Sequence, residues 1–323
     1  MGSAEVTIII PNLNGGDYIA ECLDSVANQT IAHDLIVVDD GSTDVSLSVL
    51  RKRAEAGELT LIEHGENKGF AAAVNTGIRA ADTPYVILFN NDAKADQAFA
   101  EELLRTVKKN GKIFSVSAKM LQMKHPELID DCGDYYCALG WAFSPGRDKN
   151  ETFYNRRVRV TSACGGAAIY DRKIIEELGY FDEAHFCYLE DVDIGLRAGR
   201  AGYINLYEPA AVMYHAASAT SGSRYNAFKI KLTVANSLYI IYKNQPLWMI
   251  ILNLPFLVTG FSVKTLFYLM KGQIRPCLAG YQEGLKKIEN AKNKRPAASP
   301  AGIGRDLKLY FELLGNMVRR LKG

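Results

Sequence analysis

Five places in this chain carry residue types and spacings able to do chemistry. Asp39-Asp40 follows the apolar run Leu35–Val38, and Asn90-Asn91-Asp92 follows Tyr85–Phe89. Carboxylates at the C-terminal ends of strands in an open α/β sheet face the ligand crevice, where they can meet a base, a ribose or a metal. Asp39-Asp40-Gly41 also reads as turn chemistry with Ser42, Thr43 or Asp44 capping the next helix. Behind a fully apolar strand, Asn90-Asn91-Asp92 suits a hard cation. Mg²⁺ and Mn²⁺ take oxygen ligands and need few protein carboxylates where phosphates share the coordination. Cys164-Gly165-Gly166-Ala167 is either a strand bulge or a place where backbone amides approach a ligand closely. Glu190-Asp191 opens a helical stretch, where the helix dipole favours acids, and Asp193 and Arg197 have the spacing of an ion pair. His215 closes the apolar run Ala211–Tyr214, and a neutral imidazole suits Mn²⁺ better than Mg²⁺.

The elements that must position these residues can be read from periodicity. Val6–Ile10 is a β-branched run ended by Pro11 and the turn-forming Asn12-Leu13-Asn14-Gly15-Gly16. Asp17 can cap a helix whose apolar positions Tyr18, Ile19, Cys22, Leu23 and Val26 follow the 3.6-residue period. Leu35–Val38, Leu59–Ile62 and Tyr85–Phe89 predict further strands, with helices over 70–81 and 96–110. Apolar strands alternating with amphipathic helices predict an α/β fold with a mostly parallel sheet covered on both faces. From about 112 the pattern predicts shorter, mixed strands, with helices over 171–178 and from about 190 to 199.

A third segment starts near Tyr225. Asn244–Val263 is a run of twenty uncharged residues, long enough to span a bilayer. Pro246, Asn253, Pro255 and Gly260, then Lys264 and Lys271, argue against a clean span. An in-plane or partly inserted membrane helix, a soluble packing or oligomer interface, and a true span all stay open. Residues 290–304 have the composition of a linker, and Asp306–Leu321 predicts a last amphipathic helix with a basic end. We therefore divide the chain into 1–224 and a basic helical extension, 225–323.

At 323 residues there is room for one large α/β domain and an appendage. The net charge of +2 gives no reason to expect nucleic acid as a partner. Residues 264–323 hold 13 Lys or Arg against 4 Asp or Glu, a net +9 that leaves −7 for the rest. A basic tail on an acidic body suits an anionic surface such as a membrane leaflet, or is a solvated helical tail. None of the six cysteines forms a C-x-x-C pair, which argues against a zinc or thioredoxin-like site. They read as reduced cytosolic thiols, although Cys132 and Cys137 could pair on oxidation. The N-terminus has no basic, apolar secretory leader, so residence on the cytoplasmic side is expected. Pro11–Gly16 does not fit G-x-G-x-x-G and no Walker A loop is present, which lowers the prior for NAD or ATP-hydrolysis chemistry.

With these motifs in order, the chain resembles the family 2 inverting glycosyltransferases of the Rossmann-like GT-A fold. It is most similar to bacterial enzymes that build surface polysaccharides, rhamnosyltransferase-like members among them. Five blocks carry the resemblance across residues 4–220: Val6–Asn12, Val37–Asp44, Asn67-Lys68-Gly69-Phe70 with Asn75-Thr76-Gly77, Phe89–Ala93, and Gly179–His215. It implies that Asp39 and Asp40 bind the nucleobase side of a nucleotide-diphosphate sugar, that Pro11 and Asn12 line the same pocket and that Lys68 closes it. Asn90-Asn91-Asp92 occupies the family's D-x-D position. Asn90 replaces the first acid there, so Asp92 is left as the direct ligand of a divalent cation (Mn²⁺ or Mg²⁺), His215 reaches the metal or the diphosphate, and Asn91 sits on the donor side. Gly165 and Gly166 match the loop beside donor sugar and acceptor. Asp191, second acid of the E-D motif, matches the general base, with Glu190 supporting it. No Q-x-x-R-W motif follows the base, which implies single additions to a saccharide or lipid-linked acceptor, at the inner face of the cell membrane. The alternatives are a polyprenyl-phosphate sugar transferase, a nucleotidyltransferase, for which Pro11–Gly16 lacks a basic residue, and a nucleotide-binding protein with a degenerate site.

Overall fold

The computed structural model describes residues 4–216, 226–291 and 302–322. Most of the linker expected over 290–304, and the start of the third segment at Tyr225, lie outside the described residues. Strands and helices alternate as β1 (Val6–Asn12), α1 (Ile19–Ala27), β2 (Asp34–Asp39), α2 (Ser46–Glu55), β3 (Thr60–Glu63), α3 (Phe70–Ala80) and β4 (Tyr85–Phe89). There follow β5 (Ala93–Ala95), α4 (Phe99–Val107), β6 (Ile113–Gln122), β7 (His125–Asp131), β8 (Tyr135–Tyr136), β9 (Ala142–Phe143), β10 (Val158–Val160) and β11 (Ala167–Asp171). Then come α5 (Arg172–Leu178), α6 (Glu190–Ala201), β12 (Ile204–His215) and four closing helices, α7 (Ala227–Asn244), α8 (Leu247–Met270), α9 (Ile274–Asn290) and α10 (Ile303–Lys322).

The main sheet runs β10-β12-β6-β11-β4-β1-β2-β3, with β5 on β12 and β7 on β6. β3, β2, β1 and β4 are parallel, β11 inserts antiparallel between β4 and β6, and β12 is parallel to β6. Alternation decides which face each side chain takes. Ile8, Ile10, Val37, Ile87 and Phe89 pack with α1 and α4 on one face. Ile9, Ile36, Val38, Val86 and Leu88 pack with α3, α5 and α6 on the other. Both faces are buried, so these strands carry unbroken apolar runs.

Two expectations change, and two resolve between the alternatives left open. Asp17 does not cap α1, which begins on the backbone bond from the Ile19 amide to the Gly15 carbonyl. Of Ser42, Thr43 and Asp44 before α2, only Asp44 accepts from the helix, at the Ser46 amide. After 112 the strands are mixed in direction and β8, β9 and β10 have only 2–3 residues, but β6 has 10 and β12 has 12. Polar side chains interrupt their apolar pattern yet are buried and paired: Ser115 donates to Asn205, and Lys119 donates to the Glu151 carbonyl and Asn155. Finally, Cys132 and Cys137 are separate, buried thiols.

The closing helices pack onto the sheet unit rather than standing apart from it. Asn244 and Lys243 of α7 donate to Asp193 on α6. Asn316 of α10 donates to the Tyr136 carbonyl, and Asp306 pairs with Arg200. In α8, Gly260 lies so close to Leu139 that an added Cβ would fall 2.2 Å from the Leu139 carbonyl oxygen. Most of the uncharged run, 247–263, falls in α8, which has 24 residues, is about 36 Å long and contains Pro255. Leu247, Ile251, Leu254, Val258 and Leu266 project outward, each more than half exposed.

Candidate active site

The ends of β1, β2 and β4 bring Asn12, Asp39 and Asn91 together beneath the crevice. The Asn12 side-chain amide donates to Asp39 Oδ1 at 2.8 Å and to Ser42 and Ser46 at 3.0 Å. Its oxygen accepts from Asn91 at 2.8 Å, so one buried amide ties three strand ends together. Asp39 is 1% exposed, and its second oxygen accepts from the Ser42 amide. Asp40 holds the following loop, accepting from the Lys68 and Gly69 amides and bonding His64. Lys68 therefore meets Asp40 through its backbone, and its side chain is exposed. Pro11 lies between them, half-buried and paired with Val38.

The second group forms where β5 pairs with the end of β12, which sets Ala93 opposite His215. His215 Nε2 lies 3.1 Å from Asp92 Oδ1 and 3.2 Å from Asn90 Nδ2. His215 Nδ1 bonds Asp130 Oδ2 at 2.7 Å, and Arg147 pairs with the other Asp130 oxygen at 2.8 Å. Burial works against charge on His215, but its bonds to Asp130 and Asp92 prevail and raise its pKa to about 9. Burial likewise opposes charge on Asp130, yet His215 and Arg147 hold that carboxyl below the usual range. A ligating histidine whose other ring nitrogen is fixed by a carboxylate is the usual support for a metal. The donor set of Asp92 and His215 fits a divalent cation.

The third group surrounds the start of α6. Asp191 accepts from the Gly165 amide at 3.0 Å and from the Val192 amide at 2.7 Å. Burial raises its pKa against those bonds. Glu190 is raised well above the ordinary range by burial and by Asp191, and its Oε2 has no partner. Asp131 and Asp134 come close as well, with ligand atoms within 4.8 Å of each other and of Cys164. Burial, with the Asp130 and Asp191 charges adding, raises Asp131 to about 6. Burial followed by Asp131 and Asp191 puts Asp134 well above its usual value.

Gly165 and Gly166 join the last two groups. Gly165 supplies the amide to Asp191, while the Gly166 carbonyl accepts from the Asn90 amide. An added Cβ on Gly166 would lie 2.7 Å from Asn90 Nδ2, so only glycine lets the two approach. The loop carrying the acids is unusual too, since Phe186, Tyr188 and Leu189 all have φ between 63° and 70°. Each such residue costs about 1 kcal/mol or more and persists where neighbours enforce it. Asn236 of α7 enforces it, donating to the carbonyls of His185, Cys187 and Tyr188 at 2.7–3.0 Å.

Sequence reasoning passes over Asp130, Asp131, Asp134, Arg147 and Asn236. Asp130-Asp131 follows the apolar pair Leu128-Ile129 and so repeats the strand-end signal of Asp39-Asp40. Asn236 sits inside a helix and carries no local signal.

Comparison with known proteins follows this geometry. The profile of glycosyl transferase family 2 matches residues 7–179. The chain is 34% identical over 104 residues to glycosyltransferase GlyA of Streptococcus pneumoniae, a match covering 32% of this chain and 15% of that protein. It is 26% identical over 217 residues to the N-acetylglucosaminyl-diphospho-decaprenol L-rhamnosyltransferase of Mycobacterium tuberculosis, covering 58% of this chain and 67% of the other. Among solved structures, GalNAc-T7 with UDP, GalNAc and Mn²⁺ superposes with a TM-score of 0.60 at 14% identity, over 74% of this chain and 48% of that one. The mannosyltransferase PcManGT from Pyrobaculum calidifontis, in complex with GDP-Man and Mn²⁺, gives 0.55 at 19% identity over 87% of both chains. These superpositions show the shared GT-A fold.

Proposed function

The chain belongs to glycosyl transferase family 2, and from that premise we propose an inverting, non-processive enzyme of cell-surface polysaccharide synthesis. It moves a sugar from a nucleotide-diphosphate donor, of the dTDP-rhamnose or UDP-hexose type, to a hydroxyl of a saccharide or lipid-linked saccharide. The observation carrying this reading is the Gly165-Gly166 junction, which sets the Asp191 carboxylate beside the Asp92–His215 pair. The mycobacterial rhamnosyltransferase, named for a lipid-diphosphate acceptor, supports the substrate class. We read 1–224 as the catalytic unit and 225–323 as its extension.

In this reading Asp191 takes the proton of the acceptor hydroxyl. The freed oxygen pair attacks the anomeric carbon from the face opposite the diphosphate, the bond to the diphosphate oxygen breaks, and the configuration inverts. Asp92 and His215 would hold the divalent cation, Mn²⁺ or Mg²⁺, which when bound neutralises charge developing on the leaving diphosphate. Asp130 and Arg147 keep His215 turned toward Asp92. Asp39, Asp40 and the Lys68-Gly69 loop form the nucleobase end, with Pro11, Asn12 and Asn91 bracing it from below.

Turnover of a panel of nucleotide sugars, measured across pH, tests the reading. A protonated Asp191 accepts no proton, so the rate falls as pH falls. Burial raises the Asp191 pKa, which places this acid limb above the ordinary aspartate value. A profile flat down to pH 4 contradicts the assignment.

The extension supports a place at the cytoplasmic face of a membrane. The outward side of α8 is apolar, and α10 exposes Ile303, Leu307, Phe311, Val318 and Leu321 among Arg305, Lys308, Arg320 and Lys322. Apolar stripes flanked by cations bind the interface of anionic bilayers. Replacing Leu254, Val258 and Phe311 together by Ser is expected to lower co-sedimentation with anionic vesicles severalfold. Equal sedimentation of variant and parent would point instead to a protein interface.

A further inference from the structure

A cavity of about 760 Å³ lies between the C-terminal half of α10 and the segment joining β9 to β10. This volume falls in the range of small-molecule sites. Its walls carry four cations, Lys149, Arg156, Arg319 and Lys322, and no carboxylate. Several arginines elsewhere pair with acids, Arg51 with Glu63, Arg53 with Asp24 and Glu58, Arg157 with Glu208, Arg172 with Glu176, Arg200 with Asp306. Among the described residues none of the four cavity cations has an acidic partner. Arg319 instead lies over the Tyr135 ring, 4.1 Å from its centre, and bonds Asn316 at 3.4 Å. A guanidinium has five N–H donors, so most of this fork stays available to an anion.

Two further features specify the anion. Phe153, Val158, Val318 and Leu321 are exposed around this region, so an apolar chain leaving the cavity would meet apolar surface. One segment, residues 131–135, links the cavity to the reaction centre. Cys132 and Tyr135 line the cavity, while Asp131 and Asp134 of the same segment gather with Cys164 on the Asp191 side. β10, which lines the cavity, ends the sheet on the side opposite β2 and β3, so an anionic head held here would lie away from the nucleobase end.

We infer that this cavity binds the diphosphate of a lipid-linked saccharide acceptor, gripping the head group with Lys149, Arg156, Arg319 and Lys322 while the lipid leaves over the apolar rim. The inference rests on the proposed transfer to a lipid-linked acceptor and adds where the acceptor's charge is held. Calorimetric titration of the full chain with farnesyl diphosphate, below its micelle concentration, and with inorganic pyrophosphate tests it. Farnesyl diphosphate is expected to bind more tightly than pyrophosphate, and both R156Q and R319Q should weaken it about tenfold or more. Arg156 is exposed and unpaired, so R156Q reports on the cavity even if R319Q loosens α10. Binding that is equal in parent and R156Q overturns the inference, as does equal affinity for the two probes. Nucleotide-sugar hydrolysis by the same preparations reads the proposed activity separately. A protein that hydrolyses a donor but ignores farnesyl diphosphate contradicts the cavity assignment alone. One that does neither contradicts the function as well.

Discussion

Asp191→Asn is expected to lower sugar transfer by about 10³-fold while leaving nucleotide-sugar affinity nearly unchanged, the effect of removing a positioned general base. The amide is close to isosteric and can still accept from one of the two backbone amides, Gly165 or Val192, that the carboxylate serves. What it cannot do is take a proton. The adjacent Glu190 is a poor substitute, because its burial, the larger cause of its raised pKa, persists when the Asp191 charge is gone. A loss confined to kcat, with donor KM preserved, is the signature of an interaction made only in the transition state. Transfer near the parent rate would remove Asp191 from the mechanism. A raised donor KM with unchanged kcat would make it a binding residue.

The largest expected stability effect is at Asp193, two residues further along α6. It is fully buried and accepts from Arg197 at 2.9 Å, Lys243 at 2.8 Å and Asn244 at 2.8 Å. Burial opposes its charge, but Arg197 and Lys243 outweigh burial and lower its pKa to about 2. Asp193→Ala would take the shared carboxylate from Arg197 and Lys243, both mostly buried, and removing one partner of such a network typically costs about 3–5 kcal/mol. Lys243 keeps Asp182 at 2.7 Å, which places the expected loss toward the lower end of that range. Because the folded pKa lies below the unfolded one, Asp193 stabilises the fold above the unfolded value near 4. That contribution is lost as pH falls toward 2. Urea unfolding at pH 7 is the measurement, with the gap between parent and variant narrowing in acid. A difference below about 1 kcal/mol would mean the pair has only the weight of a surface contact.

How much was legible from sequence follows from where each signal is local. Tyr85–Phe89 is recovered residue for residue, and Val6–Ile10 needs only two residues at its end, because strands buried on both faces announce themselves as apolar runs. β6 and β12 are obscured because Ser115, Ser117, Lys119, Asn205 and Glu208 are buried with partners drawn from distant parts of the chain. In β12 the register also shifts between Glu208 and Val212, interrupting alternation. The site divides in the same way. Asp39, Asp92, Asp191 and His215 stand at strand or helix ends and can be found by position. Asp130 carries the same strand-end signal, but the pairings of the supports do not show, since Asp130 meets His215 across 85 residues and Asn236 holds the Tyr188 carbonyl across 48. Asn236 also changes how the extension is understood. A helix expected to serve as anchor or interface is part of what keeps the strained Phe186–Leu189 turn, and with it Asp191, in place.

The central claim is a single displacement driven by Asp191, and the anomeric configuration of the product tests it most directly. A nucleotide sugar of known α or β configuration is incubated with acceptor and Mn²⁺, and the new linkage is read by NMR from its anomeric coupling before hydrolysis or mutarotation. The account predicts the opposite configuration to the donor, with no product from Asp191→Asn in the same time. A retained configuration, or product formed equally by the variant, would contradict it.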